Sequence, residues 1–243
     1  MAKRKLQRFA AIASFKNVFQ HIQHRKQIED FVLKGQWENY FNNKNPIVLE
    51  LGCGKGEYTI GLAEEYPNKN FIGIDLKGNR IWRGAQTALD NNMTNVAFLR
   101  MRIENIATAF SENEISEIWI TFPDPQPQIS REKKRLTAVP FLQEYSKFLH
   151  QNGVIHLKTD SNPLYQYTLN LVEKECYQLI QSTENLYEQS TANLEEPIKN
   201  TLAIKTFYEE KFSNLGFKIC YLQFTLQPLT GSNNLTTNAT QKT

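Results

Sequence analysis

Residues 46–56 constrain the fold of this 243-residue chain more than any other stretch. They read Pro-Ile-Val-Leu-Glu-Leu-Gly-Cys-Gly-Lys-Gly, and residues 47–51 form a short, nearly unbroken apolar run. Such a run is typical of a strand buried on both faces of a parallel sheet. The glycines at 52, 54 and 56 predict a turn whose backbone approaches a ligand closely and offers it free amide N–H groups.

The spacing of these glycines distinguishes between ligands. A dinucleotide fold requires Gly-x-Gly-x-x-Gly, but Glu57 stands where the last glycine is needed. A P-loop requires Ser or Thr after its lysine, whereas Lys55 is followed by Gly56. An acid followed by Gly-x-Gly-x-Gly resembles the first motif of Rossmann-like methyltransferases that use S-adenosyl-L-methionine. The alternative is an ordinary turn between a strand and a helix.

Strand and helix patterns alternate along most of the chain, which predicts a doubly wound sheet. The predicted strands are 47–51, 70–74, 96–101, 117–122, 154–157, 177–181 and 217–226, and the predicted helices are 58–66, 79–90, 141–149 and 164–175. Residues 1–45 are interpreted as a basic arm and a helix over 27–41 packed on the body. Residues 46–228 form the main domain, and the Asn/Thr-rich residues 229–243 are predicted to be disordered.

Positive charge is concentrated at the start of the chain. The net charge is +3 overall, but residues 1–34 alone carry eight Lys or Arg against two acids. This distribution favours a polyanionic partner such as RNA, although a transit peptide or a solvated tail remains an alternative. No apolar run approaches the length of a membrane span. Three scattered cysteines indicate a reducing cytoplasm and provide no metal pair.

Polar residues follow the predicted strands. Asp75 lies 25 positions after Glu50, close to the offset of about 20 at which an acid binds ribose hydroxyls in nucleotide-binding sheets. It could equally be a turn aspartate before Gly78. After the third strand, Arg102 and Glu104 lie where an acid could accept a hydrogen bond from an adenine amine.

Three further segments add candidate site residues. Two prolines flank Asp124 and stiffen its backbone, and the basic run 131–135 follows. Asp160 ends the fifth strand and brings a second carboxylate to the same edge. Thr206 and Glu209 are three positions apart, a spacing that also fits a helix capping box.

Five motifs in this order resemble the tRNA (guanine-N7)-methyltransferases that modify guanine 46 of the variable loop. They are Glu50-Leu-Gly-Cys-Gly-Lys-Gly56, Gly73-Ile-Asp-Leu-Lys-Gly78, Phe122-Pro-Asp-Pro125, Leu157-Lys-Thr-Asp160 and Thr206-Phe-Tyr-Glu209. The first two occur in many methyltransferases, and the last three together are much more specific. The resemblance covers about residues 5–228.

The resemblance implies a Rossmann-like class I α/β fold, with a seven-stranded, mostly parallel sheet and helices on both faces. It implies S-adenosyl-L-methionine contacts from Glu50, Gly52, Gly54, Asp75, Arg102, Glu104 and Asp124. It implies tRNA contacts from Gln128, Asp160, Thr206, Phe207, Tyr208 and Glu209. Asp124 and Asp160 would be the catalytic pair, and no metal is implied.

The chain departs from the family pattern at two positions. The third cofactor position usually holds an acid, but ungapped alignment from Asp124 reaches Arg102, and Glu104 is our preferred candidate. The family often has a lysine where this chain has Gln128, so the basic run 131–135 could supply that charge instead.

Guanine N7 presents a lone pair and carries no proton, so the reaction needs no general base. We therefore expect in-line attack on the sulfonium methyl, driven by alignment and electrostatics. The alternatives are a methyltransferase acting on a protein or small molecule, and a non-enzymatic RNA-binding module. The sequence leaves open whether the protein is a monomer or a homodimer.

Overall fold

The computed structural model describes residues 2–22, 28–187 and 198–228. Within these ranges the chain forms one sheet flanked by helices. The strands are β1 (Val18–His21), β2 (Ile47–Leu51), β3 (Asn70–Asp75), β4 (Val96–Met101), β5 (Ile115–Thr121), β6 (Leu149–Thr159), β7 (Tyr177–Thr183) and β8 (Cys220–Pro228). The α-helices are α1 (Ala2–Ala11), α2 (Trp37–Phe41), α3 (Glu57–Glu65), α4 (Gly78–Asp90), α5 (Val139–Tyr145), α6 (Asn162–Lys174), α7 (Ile198–Ala203) and α8 (Phe207–Asn214).

The sheet has the strand order β1-β4-β3-β2-β5-β6-β8-β7. Strands β1 to β6 pair in parallel with one another, and β8 pairs antiparallel with both β6 and β7. The chain moves outward from β2 through β3 in one direction and through β5 in the other. Ligands of such sheets bind beyond the carboxyl ends of the strands, at this change of direction.

Both faces of the sheet are covered, as a mostly parallel sheet requires. Alternate residues of β2 point to opposite sides: Leu49 packs in the core beneath α2, α5 and α6, and Val48 packs in the core beneath α3 and α4. This double burial explains why the sequence of β2 is apolar without interruption except at Glu50. The predicted Rossmann-like α/β class is therefore confirmed.

The N-terminal region differs from its prediction. The helix expected over 27–41 is wrong, because α2 covers only Trp37–Phe41 and the described residues before it form turns. The predicted arm contains a strand, β1, whose Phe19 pairs in parallel with Leu99 of β4. This strand makes the sheet eight-stranded within the described residues, where seven strands were expected.

Two other predictions concern the middle and the end of the chain. The helix expected over 141–149 ends at Tyr145, and its last predicted residue, Leu149, begins β6. The long β6 begins early because Leu149 pairs with Ile115 before a register shift. The predicted disordered tail, 229–243, lies outside the described residues. In the part of the chain that is described, no helix is long and apolar enough to cross a membrane.

Candidate active site

The carboxyl ends of β2 and β5 meet the start of α3 around a cleft of about 320 Å³. Its walls come from five parts of the chain: the ends of β2 and β5, the glycine turn, α4 and the segment that starts α8. The lining residues are Glu50, Gly52, Cys53, Gly54, Lys55, Glu57, Arg80, Thr121, Phe122, Thr206 and Tyr208. The cleft lies where the fold predicts a ligand.

The glycine turn is fixed to the neighbouring strand. The backbone N–H groups of Gly52 and Cys53 both donate to the carbonyl of Ile74, at 2.8 and 3.0 Å. Gly54 has φ +57°, and the nearest atom to an added Cβ is 3.9 Å away. At Gly56, with φ +73°, an added Cβ would lie 2.6 Å from the Phe98 ring. Gly54 therefore leaves space on the cleft side, whereas Gly56 is required by packing.

Glu50 is a buried carboxylate at the base of the cleft, with 3% of its surface exposed. One oxygen accepts hydrogen bonds from the Thr59 hydroxyl and from the Thr59 backbone N–H at 2.8 Å, and the other accepts from the Thr121 hydroxyl at 2.7 Å. Burial raises the pKa of Glu50 to about 7, against the lowering effect of these hydrogen bonds. Its position is fixed, and its charge responds to pH near neutrality.

Asp75 ends β3 and supports the glycine turn. Its carboxylate accepts from the backbone N–H of Gly54 at 3.0 Å and from that of Lys77 at 2.7 Å. The predicted turn aspartate is thus observed. The contact with Gly54 also places the same carboxylate beside the cleft, so the ribose role remains a prediction.

The loop after β5 brings an aromatic side chain to the cleft. Phe122 has φ +46° and Gln126 has φ +44°, a left-handed backbone that is unfavourable for both residue types. Strain of this kind concentrates at functional sites. Asp124, between the two prolines, is exposed and accepts from the Gln126 N–H at 3.1 Å. Asp124 is not among the residues that line the cleft.

The start of α8 contributes to the wall of the cleft next to Phe122. The Tyr208 hydroxyl donates to Asp160 at 3.3 Å, and its ring lies 5.5 Å from that of Phe122. Thr206 lines the cleft and also accepts from the Glu209 N–H at 3.1 Å. Thr206 therefore caps α8 and lines the cleft at the same time, so the two interpretations of this residue are compatible. The side chain of Phe207 lies outside the described residues.

Seven predicted site residues do not line this cleft: Asp75, Asp124 and Asp160, described above, and Arg102, Glu104, Gln128 and Glu209. Glu209 is fully buried behind the wall, in an ion pair with Lys158. Arg102 is exposed at the end of β4, and Glu104 lines a different cavity of about 520 Å³. Gln128 is exposed before the 3-10 helix Ile129–Lys134. Their assigned contacts remain predictions.

The sequence reasoning did not single out several lining residues. Thr121 and Arg80 are examples: Thr121 ends β5 and holds Glu50, and Arg80 lies in the first turn of α4 after Asp75. The only available signal was that Thr121 is the last residue of β5 and that Arg80 follows the end of β3 by five residues.

The cleft suits S-adenosyl-L-methionine chemically. The cofactor carries a cationic sulfonium and an ammonium group, which a buried carboxylate such as Glu50 attracts. Its carboxylate requires N–H donors, which the start of a helix such as α3 provides. The free amides predicted for the glycine turn itself are not observed at residues 52–54, whose N–H groups already donate to Ile74 and Asp75. The ribose requires an acceptor such as Asp75. The open space beside Gly54 leaves room for close approach of the ligand. Among the described residues, no group of His, Cys, Asp and Glu could hold a metal ion.

The fold and this cleft define a class I methyltransferase that uses S-adenosyl-L-methionine. The crystal structure of the 16S rRNA methyltransferase KamB is similar in fold, with a TM-score of 0.60 and 15% identity over 84% of this chain and 97% of that one. A family model described as "Putative methyltransferase" matches residues 44–222.

Curated relatives identify the family. A tRNA (guanine-N(7)-)-methyltransferase of Christiangramia forsetii is 48% identical over 93% of this chain and 99% of its own length. One of Bacteroides fragilis is 46% identical over 93% of this chain and 87% of its own length. The chain belongs to the tRNA (guanine-N(7)-)-methyltransferase family.

Proposed function

We propose that the protein transfers the methyl group of S-adenosyl-L-methionine to N7 of guanine 46 in the variable loop of tRNA. Family membership supports a tRNA guanine-N7-methyltransferase. The observation that carries the proposal is a cleft between the glycine turn and the Tyr208–Asp160 contact, beside a basic surface.

The chemistry needs alignment more than proton transfer. The lone pair of guanine N7 attacks the sulfonium methyl in line, and no proton leaves the base. Holding two reactants in attack geometry supplies about 7–11 kcal/mol. The methylated guanine is cationic, so a carboxylate at about 4 Å stabilises it by about 4 kcal/mol at an effective dielectric near 20, before desolvation. We assign this role to Asp124, two positions after Phe122, and to Asp160, which accepts a hydrogen bond from Tyr208 of the cleft wall.

A basic surface adjoins the cleft. Arg8 of α1, Lys55 of the glycine turn and Arg80 and Arg83 of α4 line a second cavity of about 450 Å³. The second cavity shares Lys55 and Arg80 with the cleft. We propose that this surface and the run 131–135 bind the phosphate backbone of tRNA. A protein or small-molecule substrate would not need such a surface.

The direct test locates the methylated base. Purified protein is incubated with unmodified tRNA transcript and labelled cofactor, and N7-methylguanosine is mapped by chain cleavage at the modified base. The control transcript carries adenine at position 46. We expect one methyl group per tRNA at position 46 and none in the control. Methylation of the control, or of protein extract instead of tRNA, would contradict the proposal.

A further inference from the structure

A buried ion pair lies directly behind the cleft. The ammonium of Lys158 in β6 lies 2.8 Å from Oε1 of Glu209 in α8, and both side chains are fully buried. Burial lowers the pKa of Lys158, and the adjacent carboxylate of Glu209 opposes this effect. Breaking such a pair by removing one partner is strongly destabilising, because the other charge remains buried without compensation.

Lys158 also binds the backbone that leads into α8. Its ammonium donates to the carbonyl of Leu202 at 3.0 Å and to that of Ile204 at 3.1 Å. Together with Glu209, these contacts use the three donors of one ammonium group. One side chain of the central sheet therefore holds the segment 202–209 at three points.

Other buried contacts tie the same segment to the body. The Tyr58 hydroxyl donates to the Thr201 carbonyl at 3.0 Å, and the Tyr66 hydroxyl bonds the Thr201 side chain. The Tyr187 hydroxyl donates to Glu209 Oε1. Lys158 is the contact nearest to the residues that form the wall, because it binds the chain on both sides of Thr206.

We propose that Lys158 is a positioning residue for methyl transfer, which holds the wall formed by Thr206 and Tyr208 against the cleft, and that Glu209 acts through this ion pair. Lys158 is fully buried and cannot touch the substrate. The free oxygen of Glu209, Oε2, is also buried, with no hydrogen-bond partner among the described residues. The catalytic consequence of this inference rests on the proposed function. The anchoring of residues 202–209 by Lys158 does not depend on that function.

The first test is the variant Lys158→Met, which keeps the length of the side chain and removes its charge and its donors. We expect kcat to fall about 100-fold, because small misplacement of reacting groups has effects of this size. The KM for tRNA and the Kd for S-adenosyl-L-methionine should change less than about threefold, since the phosphate contacts and the glycine turn are intact. Titration of active sites corrects for any unfolded enzyme.

Hydrogen exchange gives a readout that is independent of activity. In Lys158→Met, the amides of residues 201–209 should exchange at least tenfold faster, and those of β2 and β3 should be unchanged. The matched control is Lys147→Met, which removes a lysine paired with Glu144 of α5, a helix that packs on the opposite face of the sheet from Leu202. The control should keep wild-type kcat and wild-type exchange at 201–209.

The variant Lys158→Met/Glu209→Leu covers the case in which the single variant does not fold. Replacing both charges by apolar groups is often neutral for stability, yet the carbonyls of Leu202 and Ile204 remain without their donor. We expect this variant to fold and to retain the loss of kcat. Wild-type kcat in either variant, or unchanged exchange at 201–209, overturns the proposal. If the wild-type enzyme does not methylate tRNA, the proposed function fails, and the exchange experiment still tests the anchoring.

Discussion

At the residue scale, the glycines of the turn have separable roles. An alanine at Gly56 would bring its Cβ within 2.6 Å of the Phe98 ring, whereas an alanine at Gly54 would meet no atom closer than 3.9 Å. Both positions have positive φ, which costs a non-glycine residue about 1–2 kcal/mol. Steric overlap adds about 1–3 kcal/mol only at Gly56.

We therefore expect Gly56→Ala to lower the free energy of unfolding by about 2–5 kcal/mol and Gly54→Ala by about 1–2 kcal/mol. Cofactor affinity of the folded protein should fall more in Gly54→Ala, whose new methyl group lies on the cleft side. Urea denaturation and calorimetry measure the two quantities. An equal loss of stability in both variants would contradict this assignment.

The charge of Glu50 should make cofactor binding depend on pH. Its pKa of about 7 means that the carboxyl is mostly protonated at pH 6 and mostly ionised at pH 8. A cationic ligand favours the ionised form, so affinity should rise with pH, by about fivefold between pH 6 and 7, and level off above pH 8. Calorimetry in buffers of different ionisation enthalpy should also show proton release on binding below pH 7. In Glu50→Gln, both effects should disappear.

The same pKa predicts an effect on stability in the absence of cofactor. A carboxyl with a raised pKa binds its proton more tightly in the folded state, so the free energy of unfolding decreases as pH rises from the unfolded value of 4.5 to about 7. The free energy of unfolding should fall by about 3 kcal/mol over this pH range because of Glu50. The difference in urea midpoint between wild type and Glu50→Gln, measured from pH 4.5 to 8, isolates it. A difference that is flat with pH would be inconsistent with a raised pKa.

At the element scale, α1 and α4 together form the basic surface beside the cleft. The Arg8 guanidinium lies 4.6 Å from the Trp82 ring centre, which fixes α1 on α4. Arg80 and Arg83 of α4 are exposed. Such residues are available to phosphates and contribute to affinity through release of counterions.

We expect Arg80→Ala/Arg83→Ala to weaken tRNA binding and to reduce the slope of log affinity against log salt by about 1–2 units. The matched control is Lys44→Ala/Lys174→Ala, which removes two exposed charges where β2 begins and α6 ends, at the opposite edge of the sheet. The control should keep the wild-type slope. If both pairs lower the slope equally, the RNA does not bind at a defined surface.

At the scale of the whole molecule, the N-terminal segment is part of the core. Ile12 is fully buried, the Asn17 side chain donates to the Ala85 carbonyl at 3.0 Å, and the Phe98 N–H donates to the Asn17 carbonyl at 2.8 Å. Removal of residues 1–22 would therefore expose the edge of β4 and the apolar side of α4. An exposed apolar edge strand promotes aggregation.

We expect the variant that lacks residues 1–22 to aggregate or to melt at least 10 °C below the full chain. The variant that lacks residues 1–7 retains Ile12 and β1, and it should keep most of the stability while binding tRNA more weakly, because Lys3, Arg4 and Lys5 are lost. Thermal melts and salt titrations separate the two effects. A stable protein without residues 1–22 would show that β1 is dispensable.

The sequence alone determined the central strands and the glycine turn. Residues 47–51 are apolar because both faces of β2 are covered, and the turn needs glycine because Gly54 and Gly56 have positive φ. These constraints are local, so they leave a pattern in consecutive residues. The acids after the strands were predicted to meet at one edge because parallel strands bring their carboxyl ends together, but Glu104 lines a different cavity from Glu50.

Only the tertiary structure decided the features that depend on partners distant in sequence. The strand Val18–His21 exists because β4 offers it an edge, and its four residues carry no local signal strong enough to predict it. The spacing of Thr206 and Glu209 fitted both a helix cap and a substrate site. In the structure Thr206 caps α8 and lines the cleft, whereas the Glu209 carboxylate is buried in an ion pair with Lys158. Long-range pairing and desolvation determine these outcomes, and neither is encoded in the neighbouring residues.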